Sequence, residues 1–157
     1  MKKRTTYYVI SIIFLSLSYC RAQDIKNFNE LVSAVKDGRE VRVVIEYGKC
    51  KLVADSVEIK SPEAVGGMSL STFEYFPAGV VKNPKGFLTS SETVLINHKK
   101  YGYVYNYVKI KIYENNEVEI IARYLKPSDL TSVMDETFYG EINNASNNKA
   151  VKLFLVK

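Results

Sequence analysis

Hydrophobic and polar positions alternate most strictly over residues 101–125, YGYVYNYVKIKIYENNEVEIIARYL. Val104, Val108, Ile110 and Ile112 fall on one face; Tyr101, Tyr103, Tyr105, Tyr107, Lys109 and Lys111 fall on the other. A period of two in β-branched and aromatic residues predicts a long strand, and a second alternating run follows over 117–125. The polar break between them predicts a hairpin. A two-residue turn would set Ile112 opposite Glu119 and pair Glu114 with Glu117, mixing the faces. A three-residue loop over 114–116 sets Ile112 opposite Val118, Ile110 opposite Ile120, Val108 opposite Ala122 and Lys111 opposite Glu119. Opposed residues share a face, so only the second register keeps one face apolar. It also places Asn116 where a left-handed residue is needed, which asparagine tolerates. The other face then carries Tyr107 opposite Arg123 and Tyr105 opposite Leu125.

The rest of the chain predicts shorter elements. Over residues 24–38, Phe28, Leu31, Val32 and Val35 recur at i, i+3, i+4 and i+7, the stripe of an amphipathic helix. Asn27 stands as its N-cap with Glu30 three residues on, and Gly38 as its stop. Residues 41–47 alternate as a strand with Val41, Val43, Ile45 and Tyr47 inward. Further strands are expected over 52–59 (interrupted at Asp55-Ser56), 68–76, 87–96, 136–142 and 151–156. Residues 62–67 read as a loop, 77–79 and 83–86 as turns, and 126–135 as a connection with room for one helical turn. The expected fold is mainly β (α+β): an antiparallel curled sheet, barrel or sandwich, with the N-terminal amphipathic helix as its lid.

Composition changes this picture at the N-terminus. The formal charge of +5 in 157 residues suggests a basic protein, but Lys2, Lys3, Arg4 and Arg21 sit in a 22-residue leader without acids. The remainder holds 18 basic residues against 17 acidic ones, so no basic stripe points to nucleic acid. A positive start, an uncharged apolar stretch over 7–19 of about 13 residues and small residues before Gln23 form a signal-peptide pattern. Residues 1–22 are therefore expected to be a leader and 23–157 one domain, secreted or periplasmic. The alternative is lipid anchoring at Cys20, the one route by which a membrane enters the reading.

Residues 30–31, 38–44 and 47–50, then Gly66-Gly67-Met68 and Ala122-Arg123-Tyr124-Leu125, together resemble the VirK family of small exported proteins. The resemblance implies one exported domain and no particular activity. It also implies an aromatic, one residue and then a cysteine near the start of the penultimate strand, as partner to a cysteine at position 50. Here Phe138-Tyr139 is followed by Gly140. Without the leader, Cys50 is the only cysteine, and three fates stay open: a small buried hydrophobe, a link to another chain, or a reactive thiol.

Chemistry-bearing patterns are sparse. His98 is the only histidine, so no His-based metal spacing exists, and no metal or cofactor is expected. A Cys50–His98 dyad is drawable but nothing in the sequence joins the two, and residues 97–100 read as loop. Lys49 and Lys51 flank Cys50 and would favour its thiolate. Acidic pairs such as Asp135-Glu136 would suit glycoside hydrolysis, but scattered acids make such pairs inevitable. Asn144-Ala145-Ser146 is an N-glycosylation acceptor triplet in a polar loop. The tyrosine row is the sharpest feature: Tyr103, Tyr105 and Tyr107 with Arg123 offer flat apolar faces and hydroxyls suited to a protein, peptide or carbohydrate. That face is either covered by the helix or a second sheet, or bare and available for binding. Two functions follow: an exported, non-catalytic binding module, or a small extracytoplasmic hydrolase using carboxylates or Cys50. The aromatic row and the scarcity of histidine favour the first.

Overall fold

The computed structural model describes residues 23–54, 56–144 and 146–156. The expected leader, with Cys20, lies outside them, as do Asp55 and Ala145. The hairpin of the long alternating run forms in the three-residue-loop register. Strands β8 (Gly102–Tyr113) and β9 (Glu117–Leu125) pair Ile112 with Val118, Ile110 with Ile120, Lys111 with Glu119, Tyr107 with Arg123 and Tyr105 with Leu125. Asn116 takes φ 68° at the turn. Ile110, Ile112, Val118 and Ile120 are buried, because one unbroken apolar face has to leave water.

Among the described residues, nine more strands stand around this hairpin in two antiparallel sheets. One has the order β1 (Gln23–Ile25), β11 (Val151–Leu155), β2 (Val41–Glu46), β5 (Val65–Ser69). The other runs β4 (Val57–Ile59), β3 (Lys51–Ala54), β10 (Ser132–Glu141), β9, β8, β7 (Phe87–His98), β6 (Phe73–Phe76). Both sheets end in edge strands, so the architecture is an open sandwich and not a closed barrel. The core lies between them: Val41, Val43, Ile45, Leu153 and Val151 of the smaller sheet meet Leu88, Ile110, Ile120, Leu52 and Phe138 of the larger.

The helix α1 (Phe28–Lys36) adds Phe28, Leu31, Val32, Ala34 and Val35 to the core. Asn27 caps it as expected, its Oδ1 accepting the Glu30 N–H at 2.9 Å, while Glu30 reaches back to accept the Lys26 N–H at 2.8 Å. A second cap comes from the hairpin: Asn116 Oδ1 accepts the Phe28 N–H at 2.8 Å, satisfying one of the orphan donors of the first turn.

Several boundaries differ from expectation. The helix starts at Phe28 because Gln23–Ile25 pairs with Leu153–Leu155 as an edge strand. Tyr47 leaves β2 for a 3-10 turn over Tyr47–Lys49. The expected strand 52–59 is a tight hairpin of β3 and β4, with Ser56 at φ 64°. The expected strand 68–76 splits between the two sheets, and residues 65–67, read as loop, form the start of β5. β10 begins at Ser132, ahead of the expected Glu136, with an irregularity between Ser132 and Met134. β7 continues to His98.

Candidate functional site

The larger sheet is longer than the smaller one, and beyond the end of the shared core the sandwich opens into a cleft of about 360 Å³. Two neighbouring cross-strand rows make its floor. Glu92, Val108, Ala122 and Glu136 lie opposite one another across β7, β8, β9 and β10; Val94, Asn106, Tyr124 and Met134 form the next row. Gly66, Gly67 and Met68 of β5, Ile45, and the loop residues Pro62 and Ala64 face them from the other side. Small residues in the centre leave the space, and Glu92 and Glu136 flank it. None of the residues lining the cleft is basic.

Close contacts explain the two glycines, the first with Tyr47. Its ring packs on Phe138 at 4.7 Å between centroids, and a Cβ on Gly66 would meet the same ring at 2.8 Å. A Cβ on Gly67 would lie 2.9 Å from the Val43 carbonyl oxygen. Burial, then the neighbouring Cys50, Tyr124 and Glu136, push the Tyr47 phenol above its usual range, so it stays a neutral hydrogen-bonding group in the cleft wall.

The tyrosine row lies on the opposite, outer face of the larger sheet. No described residue covers it: Tyr103 is 66% exposed and Leu95 53%, while Tyr105, Tyr107, Ile121 and Leu125 are half-buried by one another. Arg123 Nε donates to Asp135 Oδ2 at 2.8 Å, its cross-strand neighbour, so its charge is shared with that carboxylate. Further along this face Lys49, Lys51, Lys85, Lys111 and Lys149 surround a basin of about 730 Å³. Four of these lysines pair with Glu46, Glu58, Glu117 and Glu141, and Lys111 sits over the Phe87 ring at 4.1 Å.

Cys50 and His98 do not meet. The row Lys51, Tyr139, Glu119, Lys111, Thr89 puts Cys50 level with Thr89 of β7. His98 is nine residues further along that strand, about 30 Å at the usual rise. His98 instead stacks with Tyr101 at 4.9 Å and Tyr124 at 5.0 Å, and its Nδ1 accepts the Lys100 N–H. Cys50 is buried, and desolvation pushes its thiol up to about 11, against the lowering expected from Lys49 and Lys51. Those two ammonium groups are held outward by Glu46 and Glu58. Asn144 is half-buried, its side-chain oxygen accepting from the Ser146 N–H and hydroxyl. Among the described residues no cluster of three or more metal-ligating side chains occurs.

Sequence reasoning missed the cleft residues Glu92, Asn106 and Tyr124, and named Glu136 only as one of many scattered acids. Their signal was a polar or polar-tipped side chain at an inward position of an alternating strand. Asn106 interrupts the series Val104, Val108, Ile110, Ile112, and Glu92 follows the inward Leu88 and Ser90.

The family profile described as VirK protein matches residues 24–130. The chain belongs to the VirK family. The match spans β1 to β9, stopping before β10, which ties β9 to β3. The crystal structure of a VirK family protein from Legionella pneumophila is similar to this fold, with a TM-score of 0.64 at 15% identity, over 85% of this chain and 99% of that one. At that identity the likeness speaks for the VirK fold alone. No curated protein matches the chain in sequence.

Proposed function

We propose that this VirK-family chain is an exported, non-catalytic binding module whose ligand enters the cleft between the sheets. One observation carries the reading: the cleft is an open concavity with a mostly apolar lining, two tyrosines, and few other polar groups, Asn106, Glu92 and Glu136. Its volume lies in the range of small-ligand sites, and that mix of lining is what they use. Its acidic flanks suit a neutral or cationic ligand and oppose nucleic acid. In this reading α1 is the lid of the other end, where Phe28 meets Asn116 and the Tyr75 ring. The outer row Tyr103, Tyr105 and Tyr107, with Arg123, is a second contact surface.

The test is a magnetic-resonance screen of the chain with simple saccharides, blocked di- and tripeptides and small amines. Shifts confined to Asn106, Ala122 and Tyr124, and lost in Ala122→Phe, support the cleft. Shifts at Tyr103, Tyr105 and Tyr107 that survive Ala122→Phe would move the site to the outer face. A second reading, hydrolysis by paired carboxylates, is favoured by Glu92 and Glu136 flanking one cleft. They stand three strands apart, about 14 Å between backbones, so the long glutamate side chains would have to converge to the spacing of an inverting glycosidase. Turnover separates the two: a hydrolase cleaves a bound saccharide and loses that turnover in Glu92→Gln, whereas a binding module leaves the saccharide intact.

A further inference from the structure

The wall of the cleft contains an unfinished edge. β6 pairs with β7 only from Phe87 to Ser90, although β7 runs on to His98. The hydrogen-bond phase of β7 fixes what the remainder presents. The Glu114 N–H bonds to the Gly86 carbonyl, so the even-numbered residues of β7 exchange bonds with β8. The N–H and C=O groups of Thr93, Leu95 and Asn97 therefore point away from β8. Among the described residues no strand lies on that side. The side chains of Thr93, Val94 and Leu95 are exposed and carry none of the charge, proline or bulge that ordinarily blunts an edge.

The far side of the gap is also an edge. β5 pairs with β2 alone. The bonds from the Tyr47 N–H to the Ala64 carbonyl and from the Leu70 N–H to the Val41 carbonyl set the same alternation there. Val65, Gly67 and Ser69 thus turn their backbone groups outward, and Val65 is 70% exposed. Both strands border the cleft, through Glu92 and Val94 on one side and Gly66, Gly67 and Met68 on the other.

We infer that the cleft accepts an extended peptide as an added strand on the free half of β7, carrying a basic side chain inward. The inference rests on the cleft being the binding site and specifies its occupant. Backbone bonds to Thr93, Leu95 and Asn97 supply the attachment, as in other cases of strand addition. Selectivity comes from the inward positions. A residue of the added strand stands directly across from Glu92, where an opposite charge is favoured and a like charge is not. Glu136 lies deeper in the same cleft, and no basic lining residue competes for either carboxylate. A lysine or arginine there pairs with Glu92 while its stem covers Val94.

The probe is the blocked peptide acetyl-Thr-Lys-Thr-Val-Thr-Lys-Thr-amide, titrated into the chain while the backbone amides of Thr93, Leu95 and Asn97 are followed. Two control peptides accompany it. One has glutamate for both lysines, and the other is N-methylated at alternate residues so that it cannot pair with a strand. The lysine peptide should shift those amides and bind about fivefold or more tighter than the glutamate peptide. That preference should vanish in Glu92→Gln, and N-methylation should abolish the shifts. Thr93→Pro, at an outward N–H whose loss breaks no internal bond, should remove binding without lowering the melting temperature. Three results would overturn the inference: silent amides at millimolar peptide, N-methylated peptide binding equally well, or a dimer of the chain occupying the β7 edge. If saccharides or amines still shift Asn106 and Tyr124 while the peptides fail, the strand proposal falls and the cleft as binding site stands.

Discussion

A Cβ built on Gly140 would stand 3.3 Å from the sulfur of Cys50 and 3.2 Å from the Ala150 side chain. That is tight for a non-bonded contact and close to the separation a disulfide imposes between one sulfur and the other cysteine's β-carbon. The geometry agrees with the pattern that the family resemblance implies, in which the residue after Phe138-Tyr139 is a cysteine. Gly140→Cys should therefore form a bond with Cys50 under oxidising conditions. The bridge closes a loop of about 90 residues, and loss of unfolded-chain entropy alone would stabilise by up to about 4.6 kcal/mol. For the chain from residue 23 onward, a free-thiol assay should count none in the variant and one unreactive thiol in the parent until denaturant is added; ready labelling of native Cys50 would contradict its burial. Glu46 makes the second prediction at this scale. Lys152, then Lys49, holds its carboxyl down at about 2, against an ordinary 4.5. A depressed carboxylate contributes stability that is whole above its unfolded pKa and is lost as pH falls through the folded one. Melting temperature should thus drop between about pH 4.5 and 2, and Glu46→Gln should flatten that part of the profile.

Asn116 shows how one turn residue serves several elements. It holds φ 68°, its side chain accepts the Phe28 N–H, and its carbonyl accepts the Ile142 N–H at the end of β10. Asn116→Gly keeps the turn but leaves the helix donor unmet, a loss of about 1 kcal/mol. Asn116→Ala adds left-handed strain of about 1 kcal/mol more. Urea denaturation should rank parent above glycine above alanine; alanine equal to parent would mean that the tie between hairpin and helix carries no stability. The turn itself was legible, because alternation on both sides admitted a single register and asparagine suited the loop. The β5–β6 boundary was not. Met68, Leu70 and Phe76 read as one apolar run, yet the chain crosses between sheets at residues 70–72, where Leu70 still bonds to Val41 and the Thr72 carbonyl already accepts the Ser90 hydroxyl. Local periodicity carries no information about which sheet a strand will join. The start of β10 was hidden likewise, since the turn over 126–131 ends in an irregular pairing that breaks the alternation.

At the scale of the molecule, the cleft arises from non-local pairings: β11 lies beside β2 and β1, and β10 between β3 and β9. Of these neighbours only β9 and β10 follow one another in the chain, so the sequence alone offered the faces of the hairpin but not what stands across from them. The tyrosine row illustrates the difference. Its alternation was plain, whereas its exposure depends on a sandwich in which the smaller sheet and the helix both pack against the other face of the larger sheet. The two faces of β8 should consequently respond to mutation in opposite ways. Ile110 is wholly buried, in contact with the cluster that joins both sheets and α1. A carboxylate there has no partner and costs several kcal/mol, a large share of the stability of a domain this size. Ile110→Asp should abolish the cooperative urea transition. Tyr105 and Tyr107 are half-buried on the outer face, across from Leu125 and Arg123, and paired replacement by serine should cost about 1 kcal/mol each at most, with the slope of the transition unchanged. Equal damage from the tyrosine pair would mean that the outer face is part of a core. A mild loss, together with retained ligand shifts in the cleft, would separate the surface that displays the aromatics from the cavity that binds.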